Sequence, residues 1–155
     1  MKLAVVTGCS RGIGRAVCDA LLAEGWAVVG LSRTAPEPQA GLYWFACDVR
    51  IPDVVSDILA SAGIETIDAL VHCAGVRGPF GPLLENDQSA WVRTVTTNLL
   101  GTYYVVSSCL PLLQKTDDGW GLLFSGGGAF RPEPGFSAYA SPKGAPVAFA
   151  ATLAE

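Results

Sequence analysis

The chain has 155 residues, half of them hydrophobic and 15% charged, with a net charge of −4 and no basic block. That length suits one domain with a sizeable core, and the apolar balance suits a sheet covered on both faces. The charge argues against nucleic acid or an anionic membrane surface as a partner, and no apolar run approaches the roughly 18 residues of a membrane span.

Lys2–Thr7 reads as a buried strand. Thr7-Gly8-Cys9-Ser10-Arg11-Gly12-Ile13-Gly14 follows as a glycine turn, spaced G-x-x-x-G-x-G rather than G-x-G-x-x-G. Such a turn lets the backbone approach a pyrophosphate, whose charge the N–H groups at a helix start can hold. Taken alone, it is equally a tight strand-to-helix turn with no ligand. Gly12–Glu24 reads as a helix, with Ile13, Val17 and Leu21 at four-residue spacing and Gly25 as the stop. Two features near the start imitate export signals: Lys2 before Leu3–Val6, and Val6-Thr7-Gly8-Cys9. The apolar run falls short of the roughly 7–15 residues of a true signal core, so a cytoplasmic protein is expected.

Ala27–Ser32 is a second strand, Arg33–Gly41 a loop with Pro36 and Pro38, and Leu42–Ala46 a third strand ending at Cys47-Asp48-Val49. Pro52 is expected to open a helix of about ten residues, with Gly63 beyond its end. Ile67–Cys73 is a fourth strand closed by Ala74-Gly75, and Val76–Pro82 is a Gly/Pro loop. Gln88–Leu113 reads as one long helix despite Gly101 and the β-branched run near Val95–Thr97. After a polar turn, Lys115–Gly119, a fifth strand, Gly121–Phe124, opens into Ser125-Gly126-Gly127-Gly128. Arg131–Gly135 is another turn. The last segment, Tyr139–Glu155, is Ala-rich and helix-like but holds Pro142 and Pro146.

Cys9, Cys18, Cys47, Cys73 and Cys109 are odd in number, form no C-x-x-C pair and sit in or beside apolar stretches. They read as reduced, mostly buried thiols. His72 has no second His or Cys at ligand spacing, so no metal site is expected.

Strands alternating with helices predict an α/β fold: a Rossmann-like, doubly wound parallel sheet of about five strands, forming one NAD(P)-binding domain over 1–155. Ligands of such sheets sit at the C-terminal strand ends. The candidate groups fall there: Gly8, Ser10, Arg11, Gly12, Ile13 and Gly14 after the first strand, then Ser32 and Arg33, Asp48 and Val49, Cys73, Ala74 and Gly75, and Ser125. A ribose-binding acid is expected at the end of the second strand, where Ser32 and Arg33 stand instead; the nearest carboxylate is Glu37 in the following loop. Arginine pairs with a 2′-phosphate through charge-assisted bonds, and Arg11 could face the same phosphate, so NADP(H) is expected over NAD(H).

Tyr139 and Lys143 are four apart, which places them on one face of a helix. A phenol of ordinary pKa, about 10, exchanges protons poorly at neutral pH, and a nearby ammonium favours its charged form. Ser125 could donate to a substrate carbonyl oxygen.

With these residues assembled, the sequence resembles the short-chain dehydrogenase/reductase family. The resemblance rests on Thr7-Gly8-x-x-x-Gly12-Ile13-Gly14, Asp48-Val49, Cys73-Ala74-Gly75, Asn98, Ser125 and Tyr139-x-x-x-Lys143, and spans essentially the whole chain. It implies an oxidoreductase that interconverts an alcohol and an aldehyde or ketone with NAD(P). It also implies that Tyr139 is the general acid/base and that Ser125 polarises the substrate oxygen. Lys143 then holds the nicotinamide ribose and supports the tyrosine, and Asn98 holds a relay water. Asp48, with Val49, meets the adenine amino group, and Cys73-Ala74-Gly75 lines the cofactor. Assembly as a homo-oligomer is implied for the full-length family member.

Three departures set further expectations. The family's Asn-Asn-Ala-Gly is here His72-Cys73-Ala74-Gly75, without the amides that tie neighbouring strands. Pro142 is harmless only at the first position of a helix with Ser141 as cap, which would leave Tyr139 outside it; either the helix starts irregularly or the catalytic geometry is damaged. Family members run to roughly 250 residues, so a truncated or fragmentary member is expected, without the C-terminal strands and with the fifth strand as an uncovered edge. The alternatives are a non-catalytic NADP(H)-binding module and a Rossmann-like binder of another nucleotide, such as a methyl donor.

Overall fold

The run Leu3-Ala4-Val5-Val6-Thr7 offers water no polar face, and it forms β1 (Leu3–Thr7), the middle strand of the sheet. The computed structural model describes residues 1–131 and 133–153. There β2 (Ala27–Ser32), β3 (Leu42–Ala46), β4 (Ala69–His72) and β5 (Trp120–Leu123) complete a parallel sheet in the order β3-β2-β1-β4-β5. The winding reverses between β1 and β4, so the connections after them part and leave a crevice at their C-terminal ends. Pro132 of the expected turn, and Ala154 and Glu155 of the expected last segment, lie outside the described residues.

Alternation along β1 sorts the core onto two faces. Val5 packs with Val29, Leu31, Leu70, Val55 and Leu59 of α2 (Val54–Ser61), and with Val105 and Cys109 of α4 (Gly101–Leu113). Val6 packs with Val28, Val71 and Cys18 of α1 (Gly12–Ala23) on the opposite face. Each such fully buried side chain contributes roughly 1.5–3 kcal/mol. No helix of the described residues is long and apolar enough to cross a membrane.

Several boundaries differ from the sequence expectation. α2 begins at Val54 rather than Pro52, because Asp53 takes a left-handed φ of +62° and turns the chain just before the helix. β4 begins at Ala69, and β5 starts one residue earlier than expected, at Trp120, whose N–H donates to the Asp68 carbonyl at 3.1 Å. β5 lies at one edge of the sheet, with Trp120 and Leu122 exposed.

The long helix is continuous but not uniform. α3 (Gln88–Val95), capped by the Asp87 carboxylate on the Ser89 N–H, runs into a π-helical turn over Thr96–Leu100 before α4. In that turn the Gly101 N–H reaches back five residues to the Thr96 carbonyl. The hydroxyls of Thr96 and Thr97 donate to the carbonyls of Val92 and Arg93 at 2.9 and 2.8 Å, competing with the main-chain ladder.

Pro142 does not open the next helix. α5 spans Ser137–Lys143 and contains Tyr139; the Phe136 carbonyl starts it by accepting from Tyr139 and Ala140 N–H at 3.0 and 2.8 Å. Pro142 falls next to the last residue, where its missing N–H forfeits one bond, to Ala138. The chain breaks at Gly144 and restarts as α6 (Ala145–Leu153), with Pro146 in the first turn, where N–H groups have no intrahelical partner.

Candidate functional site

The chain must turn from β1 into α1 within a few residues, and two glycines permit it. Gly8 adopts φ +69° and donates its N–H to the Leu31 carbonyl at 2.7 Å. A Cβ on Gly14 would stand 2.3 Å from the Gly8 carbonyl oxygen, so only glycine lets α1 close on the strand end. Arg11, the N-cap, supplies no side-chain cap, and the first turn carries no acid. Among the described residues, the first N–H groups of α1 therefore keep no side-chain acceptor.

Over this turn lies a cleft of about 610 Å³, within the roughly 300–1,000 Å³ of small-molecule sites. The connection after β1 contributes Gly8, Ser10, Arg11, Gly12, Ile13 and Gly14, and β2 ends on it with Ser32 and Arg33. Cys47, Asp48, Val49 and Arg50 follow from β3, and Cys73, Ala74, Gly75 and Val76 from β4. Every residue expected on the cofactor face lines this cleft except Tyr139 and Lys143.

Three arginines, Arg11, Arg33 and Arg50, line the cleft against one carboxylate, Asp48. Arg50 was not among the sequence candidates; its signal was the Asp48-x-Arg50 spacing at a strand end. Its Nε donates to both Asp48 carboxylate oxygens at 2.9 and 3.0 Å, and its terminal nitrogen donates as well. These bonds hold the Asp48 carboxyl below the ordinary carboxylate range, and Arg33 adds a smaller pull. The Asp48 carboxylate is thus engaged by Arg50.

Ser32 lines the cleft at its strand end, and its hydroxyl is engaged within the protein. Its hydroxyl donates to the Thr34 carbonyl at 2.7 Å, accepts from the Trp44 indole at 3.0 Å and lies 3.2 Å from the Cys9 sulfur. It ties β2 to β3. Glu37 does not line the cleft; its carbonyl accepts from Arg15 at 2.9 Å.

Two of the expected reactive residues, Asn98 and Lys143, stand beside Gly75, which lines the cleft. The Asn98 Oδ1 and Lys143 Nζ lie 3.3 and 3.8 Å from the position a Cβ would take on Gly75. Asn98, in the π turn, accepts from the Val76 N–H at 2.9 Å and donates from Nδ2 to the Val76 carbonyl at 2.8 Å. Lys143 is buried, and its Nζ donates to the Phe124 carbonyl at 2.8 Å; burial lowers its pKa, with Cys73 opposing weakly. The Ser125 hydroxyl donates to the Lys143 carbonyl at 2.7 Å. Lys143 Nζ stands 5.8 Å from the Tyr139 ring centre, so α5 does put the pair on one face. The Tyr139 hydroxyl lies against Gly126, and the Trp91 indole donates to Ser137 at 3.2 Å, bracing α5 on α3.

The loops flanking Tyr139 meet. Gly81 N–H donates to the Gly135 carbonyl at 3.0 Å, and the Phe80 and Phe136 rings meet at a tilt of 57° with centres 4.7 Å apart. Arg77 covers Phe136 at 5.4 Å, and Phe136 stands 6.5 Å from Tyr139.

The lost family amides have a replacement. His72 is buried, with Nδ1 2.7 Å from the Thr7 hydroxyl on β1 and Nε2 3.1 Å from the Thr102 hydroxyl on α4. Burial, then the Lys143 charge, pushes its pKa down to about 4. The strands are tied here by an imidazole.

A parallel, doubly wound sheet whose glycine turn and strand ends wall a single cleft is a Rossmann-like α/β fold. The short chain dehydrogenase family model matches residues 2–155, and the chain belongs to that family. It is similar to the short-chain reductase protein NovJ of Streptomyces niveus, 34% identical over 165 residues, which cover 99% of this chain and 62% of NovJ. It is similar also to the short chain dehydrogenase citE of Monascus ruber, 32% identical over 89% of this chain and 53% of citE. Among solved structures, the ligand-free aldohexose dehydrogenase of Thermoplasma acidophilum superposes with a TM-score of 0.91 at 29% identity, over 99% of this chain and 60% of that one. The chain therefore spans less than two thirds of the length of these relatives.

Proposed function

We propose that this chain carries the reactive half of an NADP(H)-dependent reductase or dehydrogenase acting on a small alcohol, aldehyde or ketone. The carrying observation is that Asn98 and Lys143 reach Gly75, which lines the cleft walled by the glycine turn, while Ser125 is bonded to the Lys143 carbonyl and the Tyr139 ring centre lies 5.8 Å from the Lys143 ammonium. The nicotinamide cofactor, when bound, supplies or takes up the hydride. Tyr139 gives a proton to the carbonyl oxygen on reduction and takes it back on oxidation. Ser125 turns its hydroxyl from the Lys143 carbonyl to that oxygen, and Lys143 holds the nicotinamide ribose. Asn98 keeps Val76 and the cleft floor in place. The glycine cradle fits a pyrophosphate. The excess of arginines over carboxylates favours a 2′-phosphate and hence NADP(H), with Arg11 and Arg33 the residues to hold it.

We place the protein in a reducing, cytoplasmic setting, which suits five free thiols, four of them buried. We assign homo-oligomer formation to α4 and α6, between which Leu99, Tyr103, Pro146 and Phe149 form an apolar groove of about 380 Å³. A second reading, a non-catalytic NADP(H)-binding module, is favoured by the internal commitment of the Ser125 and Lys143 donors to main-chain carbonyls.

NADPH and NADH titrations, followed by NADPH oxidation with a panel of aldehydes and ketones, separate the two. Tyr139→Phe is expected to keep NADPH binding and to lose roughly 10²–10⁴-fold in turnover. Unchanged turnover in that variant would remove Tyr139 from the reaction. Binding without consumption by the wild type would support the module.

A further inference from the structure

We propose that His72 is a positioning residue, whose ring, carrying its proton on Nε2, links the floor of the cleft to Asn98 and sets where Asn98 stands. The proposal rests on the reading of Asn98 as part of the reactive site.

The hydrogen bonds fix their own direction. The Thr102 hydroxyl has one proton, and it goes to the Asn98 main-chain carbonyl at 2.8 Å. Its oxygen must therefore accept from His72 Nε2, 3.1 Å away. A neutral ring protonated there presents Nδ1 as an acceptor, so the Thr7 hydroxyl donates to it at 2.7 Å. The Thr7 oxygen in turn accepts the Ala74 N–H at 3.1 Å. The chain runs from Ala74 through Thr7, His72 and Thr102 to Asn98, with every donor and acceptor matched.

Asn98 then clamps both main-chain groups of Val76. Ala74 and Val76 flank Gly75, and all three line the cleft. The chain thus leaves the floor at one residue and returns two residues later. An imidazole suits the bridge because its donor and acceptor sit on opposite edges, one facing β1 and the other α4. A ring protonated on both nitrogens would turn Nδ1 into a second donor to the Thr7 oxygen, leave the Thr7 proton without its acceptor and break the sequence.

His72 is the only histidine, so labelling histidine with ¹⁵N marks one ring. At neutral pH its long-range ¹H–¹⁵N spectrum is expected to show the Nε2-protonated tautomer. Thr102→Val keeps the side-chain shape and deletes the oxygen. It is expected to shift the Asn98 side-chain amide resonances and to lower turnover about tenfold, the scale of one buried hydrogen bond, with NADPH affinity unchanged. Thr102→Ser is expected to restore both. A ring protonated on Nδ1 or on both nitrogens overturns the proposal, as do Asn98 amide signals that stay in place in Thr102→Val. The wild-type tautomer and the Ser variant decide the matter should the Val variant not fold. Because these spectra need no turnover, a wild type that consumes no NADPH counts against the proposed reaction and leaves the His72 test standing.

Discussion

The Ser125 hydroxyl donates to the Lys143 carbonyl, and this bond pins the end of β5 to the end of α5. The Lys143 ammonium closes the loop by donating to the carbonyl of Phe124, the residue before Ser125. Two bonds in opposite directions set the distance between the strand end and the helix that carries Tyr139.

Ser125 accordingly has two separable roles. Ser125→Ala should lower stability by about 1 kcal/mol through the lost bond and lower turnover roughly 100-fold through the lost donor to the substrate oxygen. Ser125→Thr should keep the stability. Thermal melts and initial rates of both variants check this; an alanine variant that melts with the wild type would deny the pinning role.

Arg33 should discriminate between cofactors. Arg33→Ala is expected to weaken NADPH roughly 10–100-fold, the worth of a charged hydrogen bond, and to leave NADH nearly unchanged. Paired titrations at low and high salt read it, since an exposed ion pair weakens with salt. A parallel loss for NADH would point to a general effect on the cleft.

Gly14→Ala would drive a methyl group into the Gly8 carbonyl, where backbone rather than a flexible side chain must yield. Overpacking of this kind costs about 3 kcal/mol, and the distorted turn should weaken NADPH more than tenfold. Urea denaturation and cofactor titration measure the two effects. Full NADPH affinity in this variant would show that the turn does not hold the pyrophosphate.

His72 should give the protein an acid-sensitive stability. An unfolded histidine takes its proton near pH 6.5, whereas the folded ring, with its pKa pushed down to about 4, stays neutral. Between those values the unfolded state binds more protons. Stability is therefore complete above about pH 6.5 and falls as the pH drops toward 4, by about 3 kcal/mol in all. Urea melts across that window should slope in the wild type and flatten in His72→Asn. A wild type whose stability is level over this range would contradict the burial argument.

The strands and the glycine turn were legible because their signals are local: apolar runs of strand length, and glycines where the chain must reverse direction. The ends of the strands were legible as a set of candidate residues, but not the way each side chain turns. Ser32 stands at its strand end as expected, yet its hydroxyl faces Trp44 and Thr34, and nothing in the neighbouring letters shows this. The His72 tie joins residues 65 and 30 positions away, so only the assembled sheet reveals it. Pro142 misled because a proline is judged by where its helix begins. The Phe136 carbonyl, rather than a serine cap, set that beginning.

The π turn at Thr96–Leu100 takes up one residue more than an α-helical turn while completing the same revolution, so Thr102, Val105 and Cys109 still face the sheet. An α-helix advances about 100° per residue. Deleting one residue from this turn would restore regular winding and leave that face in place, whereas deleting one from the regular helix just after it would swing the remainder about 100° off the sheet. Within the long helix, this turn is therefore where the packing should best survive a loss of one residue.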